Sequence, residues 1–348
     1  MSRIVIADFN THCRQGVCLG HSIAVAENYL QMFDSAVAAG GPVYAKRFSR
    51  AEILPRQSDD SHGTLVNKWI GLCNLRTLFR RCREDILIMQ SISVATAFFG
   101  MALWRPRVRK LFMIQYNTQA LNSPLKRLLY RMAAPFIDGI ICPTEDIGKA
   151  YGRPYCVVPD YICMPKQSDE RVPYAQKSYD FCMVGLICRD KGVVEAARAL
   201  GGTPYRVLVA GRPDTPEIEA ELRTIAASCT NIELKLQYLS EEEYSASIRS
   251  SRYCILNYSG AYSEHSSGVV FDILFSGVPV VGRACESLRF IGETETGALF
   301  TDISEMQPEA LLQPEVYERY LGHIERYKTS HRAHRERLAR FLTVGEES

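Results

Sequence analysis

The chain alternates between short apolar, β-branched runs and longer helical stretches, and it does so twice. In the first half RIVIAD (3–8), GPVYAK (41–46), DILIMQ (85–90), KLFMIQY (110–116), DGIICPT (138–144) and YCVVPD (155–160) read as strands. Helical stretches lie between them, including Ala24–Ala39, Leu65–Arg83 and Leu125–Ala134. Strands apolar along their whole length are buried on both faces, which is the mark of a parallel sheet covered by helices. The pattern then restarts with YDFCMVG (179–185), YRVLVAG (205–211), IELKLQY (232–238), RYCILNY (252–258) and PVVGR (279–283). Two doubly wound α/β domains in tandem account for this with the fewest strains.

At 348 residues the chain exceeds one ordinary core and suits two. The segment 164–178 (MPKQSDERVPYAQKS) is polar, carries two prolines and lacks periodicity. It sets the expected division: a first domain at 1–165, a linker at 166–178, a second domain at 179–313, and a helical segment at 314–348 that packs back on the first domain. The twelve cysteines are scattered with no C-x-x-C pair, so neither a zinc ribbon nor a redox dithiol is indicated. Reduced thiols, a first strand in place of a signal peptide, and a longest apolar stretch (92–104) too short to span a bilayer point to a cytoplasmic protein. The net charge of +2 hides an asymmetry: residues 1–165 hold 20 Lys+Arg against 12 Asp+Glu, and residues 166–348 hold 21 against 27. A basic half and an acidic half suit different partners.

Ligands of such sheets bind at the carboxyl ends of the strands. The first turn, NTHCRQGVCLGHS, has no G-x-G-x-x-G, and the chain has neither a G-x-x-x-x-G-K-[ST] loop nor an H-E-x-x-H motif. Asp59-Asp60 lies in a polar stretch and reads as a solvated loop, not a metal site. The informative stretch is EHSSGVVFDILFSGVPVV (264–281). As a helix over 268–276, its Val, Phe, Ile and Leu side chains cover most of the circumference, while His265, Gly268, Asp272 and Ser276 share one stripe. Small residues around one carboxylate leave a surface open to approach. A carboxylate accepts two hydrogen bonds side by side, which suits the diol of a ribose. The amides of Ser266, Ser267 and Gly268 at the helix start suit a phosphate. A buried helix whose Asp272 merely meets solvent remains the alternative on these residues alone.

The order of residues resembles a family. Glu264, seven residues, an acid at 272, then Ser276-Gly277-Val278-Pro279-Val280-Val281 is similar to the E-x7-E signature of retaining GT-B glycosyltransferases of the family-four group. VGLICRDKGVVEAARAL (184–200), SLRFIGETETGALF (287–300), VLVAG (207–211) and VVPDYI (157–162) resemble further stretches of its pattern. The resemblance is specific over 180–300 and architectural over 1–150. It implies a GT-B fold, two Rossmann-like domains facing across a cleft. It also assigns roles: Asp272 to the nucleotide ribose, Glu264 to the donor sugar, Lys191 to the donor diphosphate, and the amides near Ser267, Gly268 and Val269 to the same phosphates. Three departures stand out. The second acid is Asp instead of Glu; Leu186 replaces an Arg that Arg189 is expected to substitute for; and after the fourth strand Tyr116 and Asn117 stand where relatives carry a His. Gly20 and His21 fall near the family's acceptor-side turn.

The implied function is transfer of a sugar from a nucleotide-sugar to an acceptor hydroxyl with retention, with no metal, no further cofactor and no general base assigned. A nucleotide-sugar 2-epimerase of the same fold and a catalytically inactive binding module stay open as alternatives. The basic residues of the first half, among them Arg80, Arg81, Arg83, Arg105, Arg107, Arg109, Lys126, Arg127 and Arg131, suit an anionic membrane face, where the resemblance implies a lipid-linked or carbohydrate acceptor; a solvated positive face, or one that steers an anionic soluble acceptor, is the alternative. They lack the aromatic interleaving of a nucleic-acid site.

Overall fold

The computed structural model describes residues 3–9, 17–58, 62–90, 94–159, 171–263 and 267–343. The chain divides into two units, Met1–Cys163 with Arg332–Ser348, and Met164–His331. The turn at 10–16, Asp59-Asp60 and the linker as far as residue 170 lie outside the described residues.

The first unit runs β1 (Ile4–Asp8), α1 (Val17–Met32), β2 (Ala36–Gly40), α2 (Pro42–Arg47), β3 (Ala51–Ile53), α3 (Thr64–Arg81) and β4 (Ile86–Gln90). It continues with α4 (Val94–Trp104), β5 (Lys110–Ile114), α5 (Pro124–Ala133), β6 (Gly139–Cys142), α6 (Glu145–Tyr151) and β7 (Tyr155–Val157). Its seven strands pair in the order β3-β2-β1-β4-β5-β6-β7, all parallel. Side chains alternate between two apolar layers with the strand period of two. Val5, Ala7, Leu87, Met89 and Leu111 meet the helices α3, α4 and α5 on one face. Ile4, Ile6, Ile86, Ile88 and Phe112 meet α1 on the other.

Several elements differ from the sequence reading, the short strand β3 being one that it passed over. GPVYAK is not a strand: Pro42 opens α2, where a missing amide costs nothing, and Tyr44 turns fully into the core. The strand is instead AVAAG (36–40), which the alanines had drawn into the preceding helix. Its side chains are almost all buried between β1 and β3, and pairing on both edges overrides alanine's helix preference.

The second unit runs β8 (Tyr179–Val184), α7 (Val193–Leu200), β9 (Val207–Ala210), α8 (Pro216–Ala227), β10 (Ile232–Lys235), α9 (Glu241–Arg249) and β11 (Ser251–Leu256). Then follow α10 (Gly268–Phe275), β12 (Val280–Arg283), α11 (Arg289–Glu293), β13 (Gly297–Phe300), α12 (Pro308–Leu311) and α13 (Pro314–Thr343). The parallel sheet has the order β10-β9-β8-β11-β12-β13. The helical segment expected from residue 314 is α13, and the second unit extends along it to His331. Tyr317, Leu321 and Ile324 of α13 are buried, with the Tyr317 ring 4.9 Å from Tyr174 and 5.7 Å from Tyr253. Leu338 and Leu342 farther along α13 belong to the first unit's core, where Phe341 packs 5.2 Å from Phe112.

Candidate functional site

In both sheets the strand order reverses at one point, between β1 and β4 in the first unit and between β8 and β11 in the second. Helices leave such a pair to opposite sides, so a crevice opens at its carboxyl end.

In the second unit the turn after β8 and the start of α10 carry several of the residues singled out from the sequence. After β8 a single 3-10 turn, Arg189–Lys191, is closed by Gly192 at φ 60°. That left-handed conformation suits glycine. The position also has no room for a side chain, because a Cβ on Gly192 would stand 2.6 Å from Asn257 Nδ2 and closer still to the Asn257 carbonyl. Asn257 Nδ2 in turn donates to the Gly192 carbonyl at 3.1 Å. The chain leaving β11 is fastened to the same turn, with Ser259 N donating to the Asp190 carbonyl at 2.7 Å.

This arrangement buries Lys191, which is only 6% exposed. Its ammonium lies 5.1 Å from the centre of the Tyr262 ring. A Cβ built on Gly185, at the end of β8, would be 3.7 Å from Lys191 Nζ and 3.6 Å from Val269, so the ammonium and the start of α10 face one spot. Among the described residues no carboxylate pairs with Lys191. Burial, unrelieved by any such partner, pulls its ammonium down to about 8.

The start of α10 lacks the usual cap from its own N-cap side chain. Ser267 occupies the N-cap position, yet its hydroxyl does not cap the helix and instead bonds Tyr258 Oη at 2.7 Å. The amides of the first turn, Gly268 and Val269 among them, have no side-chain cap among the described residues. Along α10, Gly268, Val269, Asp272 and Ser276 are half-buried, and Val270, Phe271, Ile273, Leu274 and Phe275 are buried. Asp272 therefore shares its half-buried stripe with Gly268 and Ser276. Tyr244 of α9 donates to Asp272 Oδ2 at 3.1 Å. Gly277 ends the helix at φ 69°, and its amide returns to the Leu274 carbonyl.

Lys191, Ser267, Gly268, Val269 and Asp272 thus lie on the turn after β8 and on α10. Arg189 is held elsewhere: its guanidinium pairs with Glu221 of α8, which also accepts from Arg198. Glu264 lies outside the described residues, between the turn that carries Tyr262 and the N-cap Ser267. Tyr244, Asn257, Tyr258 and Tyr262 escaped the sequence reading, although three of the four sit within seven residues of Glu264.

In the first unit Gly20 and His21 belong to α1 itself, not to the turn before it. The His21 ring meets Tyr116 edge-on with centroids 5.2 Å apart. Asn117 is occupied structurally, its Oδ1 accepting from Gln119 N at 3.0 Å and its carbonyl accepting from Tyr151 Oη at 3.0 Å. A polar cluster not foreseen lies at the ends of β1 and β4. Tyr44 Oη donates to the fully buried Asp8 at 2.9 Å, and Gln90 Nε2 reaches the Ser22 carbonyl at 3.1 Å. A carboxylate ending a fully apolar strand was the available signal. Among the described residues no group of three His, Cys, Asp or Glu side chains is placed to hold a metal ion.

No protein-family model matches the chain, and no curated protein sequence matches it. Solved structures do. HepE from Anabaena, in complex with UDP and glucose, superposes with a TM-score of 0.69 at 12% identity, covering 99% of this chain and 100% of that one. An alpha,alpha-trehalose-phosphate synthase (UDP-forming) from Burkholderia xenovorans, in complex with glucose-6-phosphate, gives 0.66 at 14% identity over 98% and 100%. WaaG, a glycosyltransferase involved in lipopolysaccharide biosynthesis, gives 0.63 at 14% identity over 98% and 100%. Agreement along whole chains establishes the fold: this protein has the GT-B fold, with two Rossmann-like α/β units. Its structural neighbours in that class are glycosyltransferases, solved with UDP and glucose in the case of HepE.

Proposed function

We propose that the protein transfers a sugar from a nucleotide-sugar to an acceptor hydroxyl, with retention and without a metal. The observation that carries this reading is Lys191, a buried ammonium without a carboxylate partner among the described residues, facing the uncapped start of α10 at the switch point of the second sheet. A desolvated cation beside free amides is poorly satisfied alone and well satisfied by a phosphate anion. The structural neighbours support the same donor class.

The donor's diphosphate is assigned to Lys191 and the amides of Gly268 and Val269, its ribose to Asp272, and its sugar to Glu264. Bond breaking at the anomeric carbon leaves charge on the departing phosphate, and Lys191 with the helix start stabilises that charge as it develops. The acceptor oxygen bonds to the same carbon, and its proton passes to the leaving phosphate. Arg189 enters the donor site only if its ion pair with Glu221 opens. On the first unit, His21 and Tyr116 are the candidates for contact with the acceptor, a carbohydrate or lipid-linked glycan. The reaction is placed in the cytoplasm, in keeping with the free thiols of the described cysteines.

The test is incubation with a panel of nucleotide-sugars, with and without oligosaccharide and lipid-linked acceptors, followed by NMR of the products. A new glycoside with the donor's anomeric configuration supports the reading. A rearranged sugar formed without acceptor would assign the chain to the epimerases, and nucleotide binding with no turnover would make it a binding module.

A further inference from the structure

Exposed large apolar side chains are not scattered over this protein. Among the described residues, eight of the ten lie on α3, α4 and α5. These helices are neighbours on one side of the first sheet. Gly100 of α4 abuts Leu72 and Leu75 of α3, and Phe98 of α4 packs 5.1 Å from Tyr130 of α5. Their inner faces share one core.

The outer faces have their own pattern. On α5, Tyr130 and Ala133 enter the core, while Leu125, Leu128 and Met132 form a separate stripe at i, i+3 and i+7. On α4, Phe99 and Leu103 repeat at i, i+4, and on α3 Leu65 and Trp69 do the same. Leu65 is 81% exposed and Trp69 61%. A soluble surface has no use for such a set on adjoining helices, and clustered apolar surface marks an interaction site.

The charge around it selects the partner. Residues 62–134 carry 12 Lys+Arg against 2 Asp+Glu, in a chain whose net charge is only +2. One of those two acids, Asp85, is already paired with Arg3. Lys126, Arg127 and Arg131 share α5 with its apolar stripe, and Lys68 and Arg76 share α3 with Leu65 and Trp69. A second copy of the chain seated face to face would bring these like charges together, which opposes a two-fold contact. An interfacial helix, by contrast, combines an inserted apolar stripe with flanking Lys and Arg. No helix among the described residues is long and apolar enough to cross a membrane.

We propose that the outer face of α3, α4 and α5 docks on an anionic lipid bilayer, with the leucines, Trp69 and Phe99 entering the headgroup boundary and the basic side chains meeting lipid phosphates. This moves the emphasis from Arg80, Arg81 and Arg83, at the far end of α3, to α5 and the start of α3. It stands on the first unit alone and is independent of the donor chemistry assigned to the second.

The experiment is co-sedimentation of the full chain with phosphatidylcholine vesicles, with and without phosphatidylglycerol, over a range of salt. Binding is expected only to the anionic vesicles and falls as salt rises. Replacing Lys126, Arg127 and Arg131 together by Gln is expected to weaken it roughly a hundredfold, about fivefold per charge. Replacing Trp69 and Leu128 together by Ser is expected to weaken it about tenfold with the salt response kept. All five residues lie outside the core, and circular dichroism of each variant checks that the fold is intact. With only two tryptophans in the chain, a blue shift of emission on vesicle binding that disappears in Trp69→Phe locates the contact. The proposal is overturned if the protein ignores anionic vesicles at low ionic strength or binds neutral ones equally. It is also overturned if the chain sediments as a dimer that Leu128→Asp dissociates.

Discussion

Replacing Lys191 by Met should stabilise the free protein near neutral pH, although Lys191 is assigned to the donor site. Burial lowers its ammonium from 10.5 to about 8. At 1.36 kcal/mol per pKa unit, holding that charge in the folded state costs about 3 kcal/mol. The contact with the Tyr262 ring returns about 1 kcal/mol, leaving a net of about 2 kcal/mol in favour of Met. For a unit of this size each kcal/mol moves the melting temperature about 2–4 °C, so Lys191→Met should melt about 4–8 °C higher at pH 7. Between about pH 8 and 10.5 the unfolded chain binds more protons at this position than the folded chain does, so wild-type stability rises with pH across that window. The advantage of Met is therefore full below about pH 8 and fades as pH climbs through the window. A nucleoside diphosphate should reverse the order, because its phosphates restore a partner to the ammonium. The assay is differential scanning fluorimetry of both proteins at pH 7 and pH 10, with and without nucleoside diphosphates. A variant that melts lower at pH 7, or ligand stabilisation equal in the two proteins, would refute the reasoning.

Two other substitutions probe the same site. Asp272→Ala removes both acceptors proposed for the ribose diol, and at roughly 1.5–3 kcal/mol for hydrogen bonds to a charged group the nucleoside diphosphate Kd should rise about 10- to 100-fold by calorimetry; an unchanged Kd contradicts the assignment. Gly192→Ala forces a side chain into left-handed backbone and against Asn257, so chemical denaturation should show a loss of about 2 kcal/mol or more, and a stability within about 0.5 kcal/mol of wild type would show that the turn yields.

Much of the fold was legible because buried strands leave apolar runs, and ten of the eleven runs read as strands are strands. The limit shows at 36–47, where alanines favoured helix locally and Tyr-Ala-Lys followed a proline. Only pairing with β1 and β3 decides between the two readings, and no local window contains it. The site divides in the same way. The α10 stripe was visible because a helix imposes a fixed angular spacing on its own residues. The ring beneath Lys191, the Tyr244 hydroxyl on Asp272 and the clasp of Asn257 on Gly192 join residues 28 to 71 positions apart, and no periodicity encodes such meetings. The exposed face of α3, α4 and α5 was half visible: the arginines stood out as runs, but which leucines stay outside the core depends on how the three helices pack.

Glu264 offers the most direct test of the central claim, that one site in the second unit both binds the nucleotide and carries out the transfer. Wild type and Glu264→Ala should be compared for sugar transfer and for affinity toward the bare nucleoside diphosphate. Because its assigned partner is the sugar, the variant should lose turnover by about 100-fold or more while its nucleoside diphosphate Kd stays within about threefold of wild type. Undiminished transfer by Glu264→Ala, or a loss of nucleotide affinity as large as that of Asp272→Ala, would contradict the account.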